Sequence, residues 1–480
     1  MGLAFVPLYI KYLGVEAYGL IGLFSVLMAW LVLLDMGMTP MISREMARFN
    51  GGGHSAGSIR DLLRSVECIL LGTSVLIIGG GALLAPWAAA HWLRVETLSV
   101  NTAANAIAVM GLVAALRFAE GIYRSCLVGL QRQVALNLVS SGMATLRAVG
   151  TVGVLAWVSP TISAFFIWQG VVSIATLAIL ALTTYHTLPA AQRSGRFSLA
   201  ALRGVWQFAG GMIGITFLAL LLTQMDKVIL SRMLSLADYG YYTLAAAVAS
   251  SVLLLITPIS QAWFPRLCEL HMQDNESSMI DFYHTGAQLV SVVGGGVAVV
   301  LILLAEQFLV FWTRNTDLAA RVAPLLRLLL LGNLLNGLMH IPYQTQLAYG
   351  WTSLTTRINL VSVLLIVPAI LWVTPRYGSE GVAWVWVVLN SGYVLIGVHF
   401  MYRRILSKEK WRWYGQDVFT PLVASLAGGF LMKSAWEAMG IFANTGVLLT
   451  LVSVAAFGAS FALSGRLVSE VRKITRKALS

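Results

Sequence analysis

The sequence predicts an all-α membrane protein that crosses the bilayer about fourteen times. Apolar stretches of about 20 residues follow one another along the whole chain, for example 69–90, 286–305 and 444–463. Because lipid offers the backbone no hydrogen-bond partner, such stretches form helices rather than isolated strands. Of the 480 residues, 58% are hydrophobic and only 11% are charged, which excludes a sizeable soluble domain.

The apolar runs predict the individual helices in chain order. They are expected at 2–12, 17–39, 66–90, 103–126, 134–157, 162–185, 204–224, 239–263, 286–311, 322–345, 356–373, 381–402, 418–436 and 443–464. The first run is too short to span a bilayer. We therefore expect either a truncated first helix or a start codon placed too late, and we favour the latter.

Basic residues outnumber acidic residues by 32 to 20 and are scattered among short connections. This scatter is typical of the charge bias that orients membrane helices, and it does not indicate a nucleic-acid-binding patch. If residues 40–65 are cytoplasmic and the sides alternate, most Lys and Arg residues fall on the cytoplasmic side. Both termini are therefore expected in the cytoplasm.

Motifs for common enzymatic and metal sites do not occur. Cys68, Cys126 and Cys268 form no CxxC motif, so neither a disulfide framework nor a zinc site is expected. The sequence contains no GxxxxGKS, GxSxG or HExxH motif, which argues against ATP hydrolysis and hydrolase chemistry. We expect a protein that is not an enzyme and needs no cofactor.

A short motif occurs twice. LGVEAYG at 13–19 returns 221 residues later as LSLADYG at 234–240, and a weaker echo links 159–175 with 375–391. The pattern predicts two pseudo-symmetric six-helix halves around a central cavity, followed by two further helices. The expected domains are 1–200, 201–412 and 413–480. Duplicated halves place a substrate site between them and permit alternating access.

Two blocks of sequence carry a family resemblance. PLYIKYLGVEAYGLIGLFSVLMAWLVLLDMGMTPMISREMARF (7–49) and QMDKVILSRMLSLADYGYYTLAAAVASSVLLLITPISQAWFPRL (224–267) resemble the polysaccharide-biosynthesis flippases. These Wzx-type O-antigen and capsule transporters belong to the multidrug/oligosaccharidyl-lipid/polysaccharide exporter superfamily. The resemblance implies transport of an undecaprenyl-pyrophosphate-linked oligosaccharide from the cytoplasmic to the periplasmic leaflet of the bacterial inner membrane. It also implies contacts with membrane lipid and with other polysaccharide-assembly membrane proteins, and no nucleic acid.

Such a substrate requires a water-filled cationic cavity, because arginine binds phosphate with a bidentate fork. Arg117 is one candidate, since an intramembrane charge is usually functional or paired. Glu120 at i+3 and Arg124 at i+7 share its helix face. The sequence leaves open whether Glu120 only neutralises Arg117 or the group binds an anion.

Two more arginines fall inside predicted helices. Arg147 has Ser140 and Thr151 on its face and no acidic residue nearby in sequence, so we expect it to be unpaired and to face the cavity. Arg327 lies near enough to a helix end to extend to the periplasmic surface. Both are candidate substrate contacts.

A polar stripe runs along the predicted helix 322–345. It consists of Asn333, Asn336, His340 and Gln344, which share one face. The stripe could line the cavity and bind sugar hydroxyls, or it could bond neighbouring helices. Glu306 is the candidate carboxylate for coupling to a counter-ion.

Three charged residues occupy positions in the two family blocks. Asp35 is expected to act as a cap, a gate or a substrate contact, and Asp226 is expected to pair with Lys227 at the periplasmic mouth. A drug/cation antiporter of the same superfamily is an alternative, although it would have an acidic cavity and typically twelve helices. A polysaccharide polymerase or ligase is a further alternative, but the long periplasmic loop that such enzymes use is missing.

Overall fold

The computed structural model describes residues 2–189, 195–439 and 444–479, and nearly all of them are helical. The helices are α1 (Gly2–Leu13), α2 (Val15–Trp30), α3 (Met38–Asn50), α4 (Ala56–Trp87), α5 (Val100–Gly129), α6 (Gln133–Gly153), α7 (Ile162–Thr187), α8 (Leu199–Met233), α9 (Leu236–Ala249), α10 (Ser251–Met272), α11 (Glu276–Leu303), α12 (Ala305–Thr313), α13 (Thr316–Leu338), α14 (His340–Ala348), α15 (Ser353–Gly392), α16 (Val398–Tyr402), α17 (Lys410–Arg412), α18 (Thr420–Ala438), α19 (Thr445–Ala462) and α20 (Gly465–Leu479).

The predicted fold class is confirmed. Within the described ranges, 11 helical segments are long and apolar enough to cross a membrane. The long segment Ser353–Tyr402 contains two of the predicted helices, because Gly378 has a non-helical backbone (φ 56°, ψ −143°) that divides α15 into two arms. The total of fourteen spans stays a prediction. Residue 443, the first of the last predicted helix, lies outside the described residues.

Several helix boundaries differ from the prediction. Helix α8 continues to Met233, so residues 225–233 are helical rather than part of a connection. The predicted helix 286–311 is interrupted at Leu304, and 322–345 is interrupted at Met339. Hydropathy is averaged over many residues, so it does not locate a break of a single residue.

Two amphipathic helices replace segments that were expected to be loop or tail. Helix α3 (Met38–Asn50) covers the first part of the expected loop 40–65 and buries Met38, Met41, Ile42 and Met46 against α4 and α5. Helix α20 occupies the basic C-terminal segment. Both are too short or too charged to register as spans, so only their helical periodicity could have indicated them.

The chain forms two compact units, Met1–Gly240 and Tyr241–Ser480. In the first unit the two copies of the repeated motif contact each other reciprocally. A Cβ at Gly19 would overlap the carbonyl oxygen of Leu236, and a Cβ at Gly240 would overlap that of Val15. Leu236 and Gly240 are the positions of Val15 and Gly19 shifted by the repeat length of 221 residues. Both copies of the motif therefore have a glycine where two backbones approach closely.

The second unit is organised around α11. Gly294, Gly295 and Gly296 of this helix lie against side chains of α10, α18 and α19. Glycine at these positions thus allows the helices to pack closely. His284, also on α11, is fully buried, and its ring nitrogens contact the carboxylates of Asp417 and Glu409. Through these contacts the segment before α18 packs against α11.

Candidate functional site

A network of charged side chains joins α5, α6 and α7 in the first unit. Its centre is Glu120, whose side chain is only 4% exposed. The Nη2 atom of Arg124 lies 3.4 Å from Glu120 Oε2, and the Nη2 atom of Arg147 lies 3.4 Å from Glu120 Oε1. One carboxylate therefore accepts hydrogen bonds from two arginines on different helices.

Neutral side chains complete the network. Arg124 donates to the Ser140 hydroxyl (2.6 Å), and Arg147 donates to the Ser173 hydroxyl (3.2 Å). Such partners orient the guanidinium groups without cancelling their charge.

Arg117 is held by a different set of groups. Its Nη2 donates to Gln169 Oε1 at 2.7 Å, and its guanidinium lies over the ring of Phe24, 5.1 Å from the centroid. The amide of Gln169 in turn donates to the Thr151 hydroxyl at 3.1 Å. The cation is thus stabilised by a ring face and an amide oxygen.

We call Arg117, Arg124 and Arg147 the arginine cluster. The network has three cations and only one carboxylate, Glu120, so it keeps a net positive charge inside the membrane-spanning segments. Within the part of the chain that the structure describes, the buried Nε atoms of Arg117 and Arg147 have no hydrogen-bond partner. The cluster therefore has uncompensated positive charge and two unsatisfied donors, which an anion would complement.

The expectation of an unpaired Arg147 is wrong. Glu120 lies on α5, 27 positions before Arg147 in the sequence. Its carboxylate contacts the Arg147 guanidinium across the α5–α6 interface. The sequence left open whether Arg117 pairs with Glu120. The structure shows Glu120 bound to Arg124 and Arg147 instead. Sequence reasoning missed Gln169 and Ser173, although a glutamine within the apolar run FFIWQGVV was a usable signal.

The second unit contains a polar pocket of about 290 Å³ between α10, α13, α14 and α15. Three members of the polar stripe line it: Asn336, His340 and Gln344. His340 Nδ1 lies 3.2 Å from the Ser260 hydroxyl. This volume is at the low end of the range of small-molecule sites.

The stripe also bonds a neighbouring helix. Asn333 accepts a hydrogen bond from Trp386 Nε1 (2.9 Å) and does not line the pocket, while Asn336 donates to Asn390 Oδ1 (2.8 Å). Both partners lie on α15. Part of the stripe therefore bonds a neighbouring helix and part of it lines a pocket, while its binding of sugar hydroxyls stays a prediction.

The remaining candidates lie in separate places. Arg327 is exposed on α13 and donates to the carbonyl of Ile302 at 3.3 Å. Glu306 is exposed in the first turn of α12. Asp226 and Lys227 form the expected pair, 3.7 Å apart, but within α8 rather than at a helix end.

Asp35 caps α3. Its carboxylate accepts the backbone N–H of Thr39 at 3.1 Å and the Thr39 hydroxyl at 2.5 Å. Burial raises the pKa of Asp35 above its ordinary value, although the hydrogen bonds from Thr39 oppose this shift. The capping interpretation of Asp35 therefore has a direct structural basis.

Among the described residues, no group of three His, Cys, Asp or Glu side chains is placed to hold a metal ion. The two candidate sites are thus the arginine cluster and the polar pocket, each within one unit.

Comparison with known proteins gives consistent results. Residues 1–271 match the sequence model of a family described as "Polysaccharide biosynthesis protein". The "Putative O-antigen transporter" of Shigella flexneri is 20% identical over 407 residues, which cover 82% of this chain and 92% of that protein.

Solved structures show the same fold. A lipid II flippase, MurJ, in an inward closed conformation has a TM-score of 0.65 at 12% identity and covers 98% of this chain and 97% of its own. An inward-facing multidrug resistance transporter of the MATE family and MOP superfamily has a TM-score of 0.62 at 15% identity, with 85% and 94% coverage. At these identities the likeness concerns the fold alone.

Proposed function

We propose that this chain, which belongs to the polysaccharide biosynthesis protein family, moves an undecaprenyl-pyrophosphate-linked oligosaccharide from the cytoplasmic to the periplasmic leaflet. The chain is a multi-pass membrane transporter of a superfamily whose relatives are named as transporters and flippases. The substrate, the direction of transport, the location in the inner membrane and the cytoplasmic termini are the parts that we propose beyond this.

The arginine cluster is the observation that carries the proposal. A pyrophosphate is the most strongly charged part of such a substrate, and hydrocarbon excludes it. Arg117, Arg124 and Arg147 supply guanidinium groups that bind phosphate oxygens in pairs. Glu120 keeps the arginines ordered when no anion is present, since it accepts from Arg124 and Arg147.

The sugar portion needs many polar contacts of moderate strength. The polar pocket of the second unit offers amides and hydroxyls, including Asn336 and Gln344. These groups both donate and accept, as sugar hydroxyls do. In this proposal Asn333 has a structural role, because Trp386 occupies its side-chain oxygen.

The other candidates take supporting roles. Asp35 orders the turn before α3, and Asp226 with Lys227 stabilises the middle of α8. Glu306 and Arg327 are exposed, and they are proposed as contacts with lipid headgroups or water rather than with the pyrophosphate.

A drug/cation antiporter is the alternative that the fold permits, since a MATE transporter shares it. The charge of the network favours the anionic substrate, because three arginines around one glutamate repel a cationic drug. A polymerase or ligase is not supported by any of the named relatives.

Surface glycan display in a strain that lacks its own O-antigen flippase tests the function. Expression of this chain should restore display, and Arg147→Ala should not, at equal abundance in the membrane. Resistance to cationic drugs, with no restoration of glycan in any acceptor strain, would favour the antiporter.

A further inference from the structure

The two arms of α15 enclose an apolar groove in the second unit. We call it the α15 groove; its volume is about 570 Å³. Val361 and Leu365 of the first arm face Val388 and Phe400 on the segment that follows Gly378. Its lining is almost entirely aliphatic or aromatic, so it suits a hydrocarbon chain.

The α15 groove adjoins the polar pocket. Ile358, Tyr393 and Gly397 line both cavities. Tyr393 and Gly397 are the ends of a π-helical turn, a local widening that is frequent at functional sites. A Cβ at Gly397 would have only ordinary contacts, 3.5 Å from Ile358 and 3.8 Å from Met339. One of the three residues at the boundary between the cavities is therefore small.

A cation lies in the groove next to this boundary. Arg357 lines the α15 groove and directly precedes Ile358. Its side chain is exposed, and within the described residues it has no hydrogen-bond or ion-pair partner. Arg376, on the same arm, instead donates to the Trp372 carbonyl (3.1 Å) and lies 4.5 Å from its ring centroid.

The polar pocket is uncharged. Its lining, all of it within the described residues, consists of hydroxyl, amide, imidazole and apolar groups, with no Asp, Glu, Lys or Arg. Gln261, Tyr343, Gln344 and Asn359 line it, and their side chains have no hydrogen-bond partner among the described residues. Several donors and acceptors are thus free for a ligand.

We propose that the α15 groove and the polar pocket form one docking site for a lipid-linked saccharide whose first sugar is uncharged. This inference rests on the proposed function and deepens it. In this docked state, which precedes binding of the pyrophosphate to the arginine cluster, the lipid chain occupies the α15 groove, a phosphate binds Arg357, and the first sugar occupies the polar pocket. The order apolar, cationic, polar matches the order of the parts in the substrate.

The restriction to an uncharged sugar follows from the lining. A sugar carboxylate in the pocket would lose hydration and find no cation to pair with. An amino sugar with a free ammonium group would equally lack a carboxylate. Hydroxyl and acetamido groups, in contrast, match the free amides and the phenol. Arg357 also lies at the start of the predicted helix 356–373, and the alternation of sides from residues 40–65 predicts that this end is cytoplasmic, where the proposed substrate is collected.

Binding to the full chain in phosphatidylcholine nanodiscs tests the site. The probes are polyprenyl pyrophosphate bearing N-acetylglucosamine, the same lipid bearing glucuronic acid, and the sugar-free lipid. Arg357→Gln should raise the Kd of the first probe by about tenfold, since a charge-assisted contact is lost. Arg376→Gln, the matched control, should leave it unchanged. The glucuronic acid probe should bind the unaltered chain more weakly than the N-acetylglucosamine probe.

The passage between the cavities is tested separately. Gly397→Phe should weaken binding of the N-acetylglucosamine probe and leave the sugar-free lipid unaffected, whereas Gly397→Ala should bind both normally. Equal Kd values for Arg357→Gln and the unaltered chain, or equal competition by phosphatidylglycerol, would overturn the site. If Arg147→Ala still abolishes glycan display in that case, only this inference fails. If the unaltered chain binds none of the pyrophosphate probes, the proposed function fails as well.

Discussion

The guanidinium of Arg147 on α6 lies 3.4 Å from the carboxylate of Glu120 on α5. Glu120 also binds Arg124, one turn along its own helix, at the same distance. The carboxylate is almost fully buried, whereas the arginine side chains are 20% and 37% exposed. The positive members of the network are therefore the accessible ones, and the negative member lies behind them.

Replacement of Glu120 should destabilise the first unit. Glu120→Gln keeps the size of the side chain but leaves three arginines without a counter-charge. We expect a loss of about 1–3 kcal/mol, below the value for a fully buried pair because the arginines are partly hydrated. Thermal unfolding in detergent measures the change. Glu470→Gln, which removes an exposed partner of Lys473, is the control and should have no effect. An unchanged melting temperature for Glu120→Gln would contradict the structural role.

The reciprocal glycine contact between the motif copies predicts a steric effect. Gly19→Ala should destabilise the protein by about 1–3 kcal/mol, because its Cβ would overlap the Leu236 carbonyl oxygen and the backbones would have to separate. Gly80→Ala is the matched control, since a Cβ there meets nothing within 4 Å. That change should be neutral or slightly stabilising. Equal melting temperatures for the two variants would show that the close contact does not exist.

The polar stripe predicts different effects for two of its members. Asn333→Ala should lower stability by about 1 kcal/mol, because the N–H of the partly buried Trp386 loses its acceptor. Gln344→Ala should leave stability unchanged and reduce glycan display, because its side chain lines the polar pocket without an internal partner. Melting temperature and glycan display, measured on both variants, separate the roles. Loss of display with Asn333→Ala at normal stability would reverse the assignment.

Glu45 gives a pH-dependent prediction. Burial raises the pKa of this carboxyl, but the hydrogen bonds and charges of His54 and Arg48 outweigh burial and lower the pKa below its ordinary value. A lowered folded-state pKa means that the contribution to stability is present above the unfolded pKa and is lost as the pH falls through the folded pKa.

Hydrogen exchange measures this effect. Amides around the 45–54 connection should exchange faster, relative to the intrinsic rate, as the pH falls below about 4.3, the ordinary glutamate value. The 2.6 Å contact between Glu45 and His54 then weakens. Glu45→Gln should remove the pH dependence. An unaltered pH profile in Glu45→Gln would show that another group controls this segment.

The sequence was sufficient for the fold class, the order of the long helices and the family. Hydropathy detects spans of about 20 residues because the bilayer imposes that length. It could not detect the breaks at Leu304 and Met339, because each is a single residue between two helices. The repeat was readable because Gly19 and Gly240 meet the same steric requirement.

The site was less predictable for a physical reason. Periodicity shows which residues share one helix face, so it related Arg117, Glu120 and Arg124. The contact of Glu120 with Arg147 depends on how α5 packs against α6, and no local pattern encodes that packing. The same applies to Arg357, which became notable only when its position between an apolar and a polar cavity was known.

The central claim is that the arginine cluster binds the pyrophosphate of the substrate. Flipping of a fluorescent polyprenyl-pyrophosphate oligosaccharide in proteoliposomes tests it most directly, with Arg147→Ala, Arg147→Lys and the unaltered chain at equal protein content. Arg147→Ala should fold, because Glu120 keeps Arg124 as its partner, but it should lose most of the flipping activity. Arg147→Lys should keep part of the activity, since lysine retains the charge without the bidentate fork. Flipping by Arg147→Ala at the rate of the unaltered chain would contradict the claim.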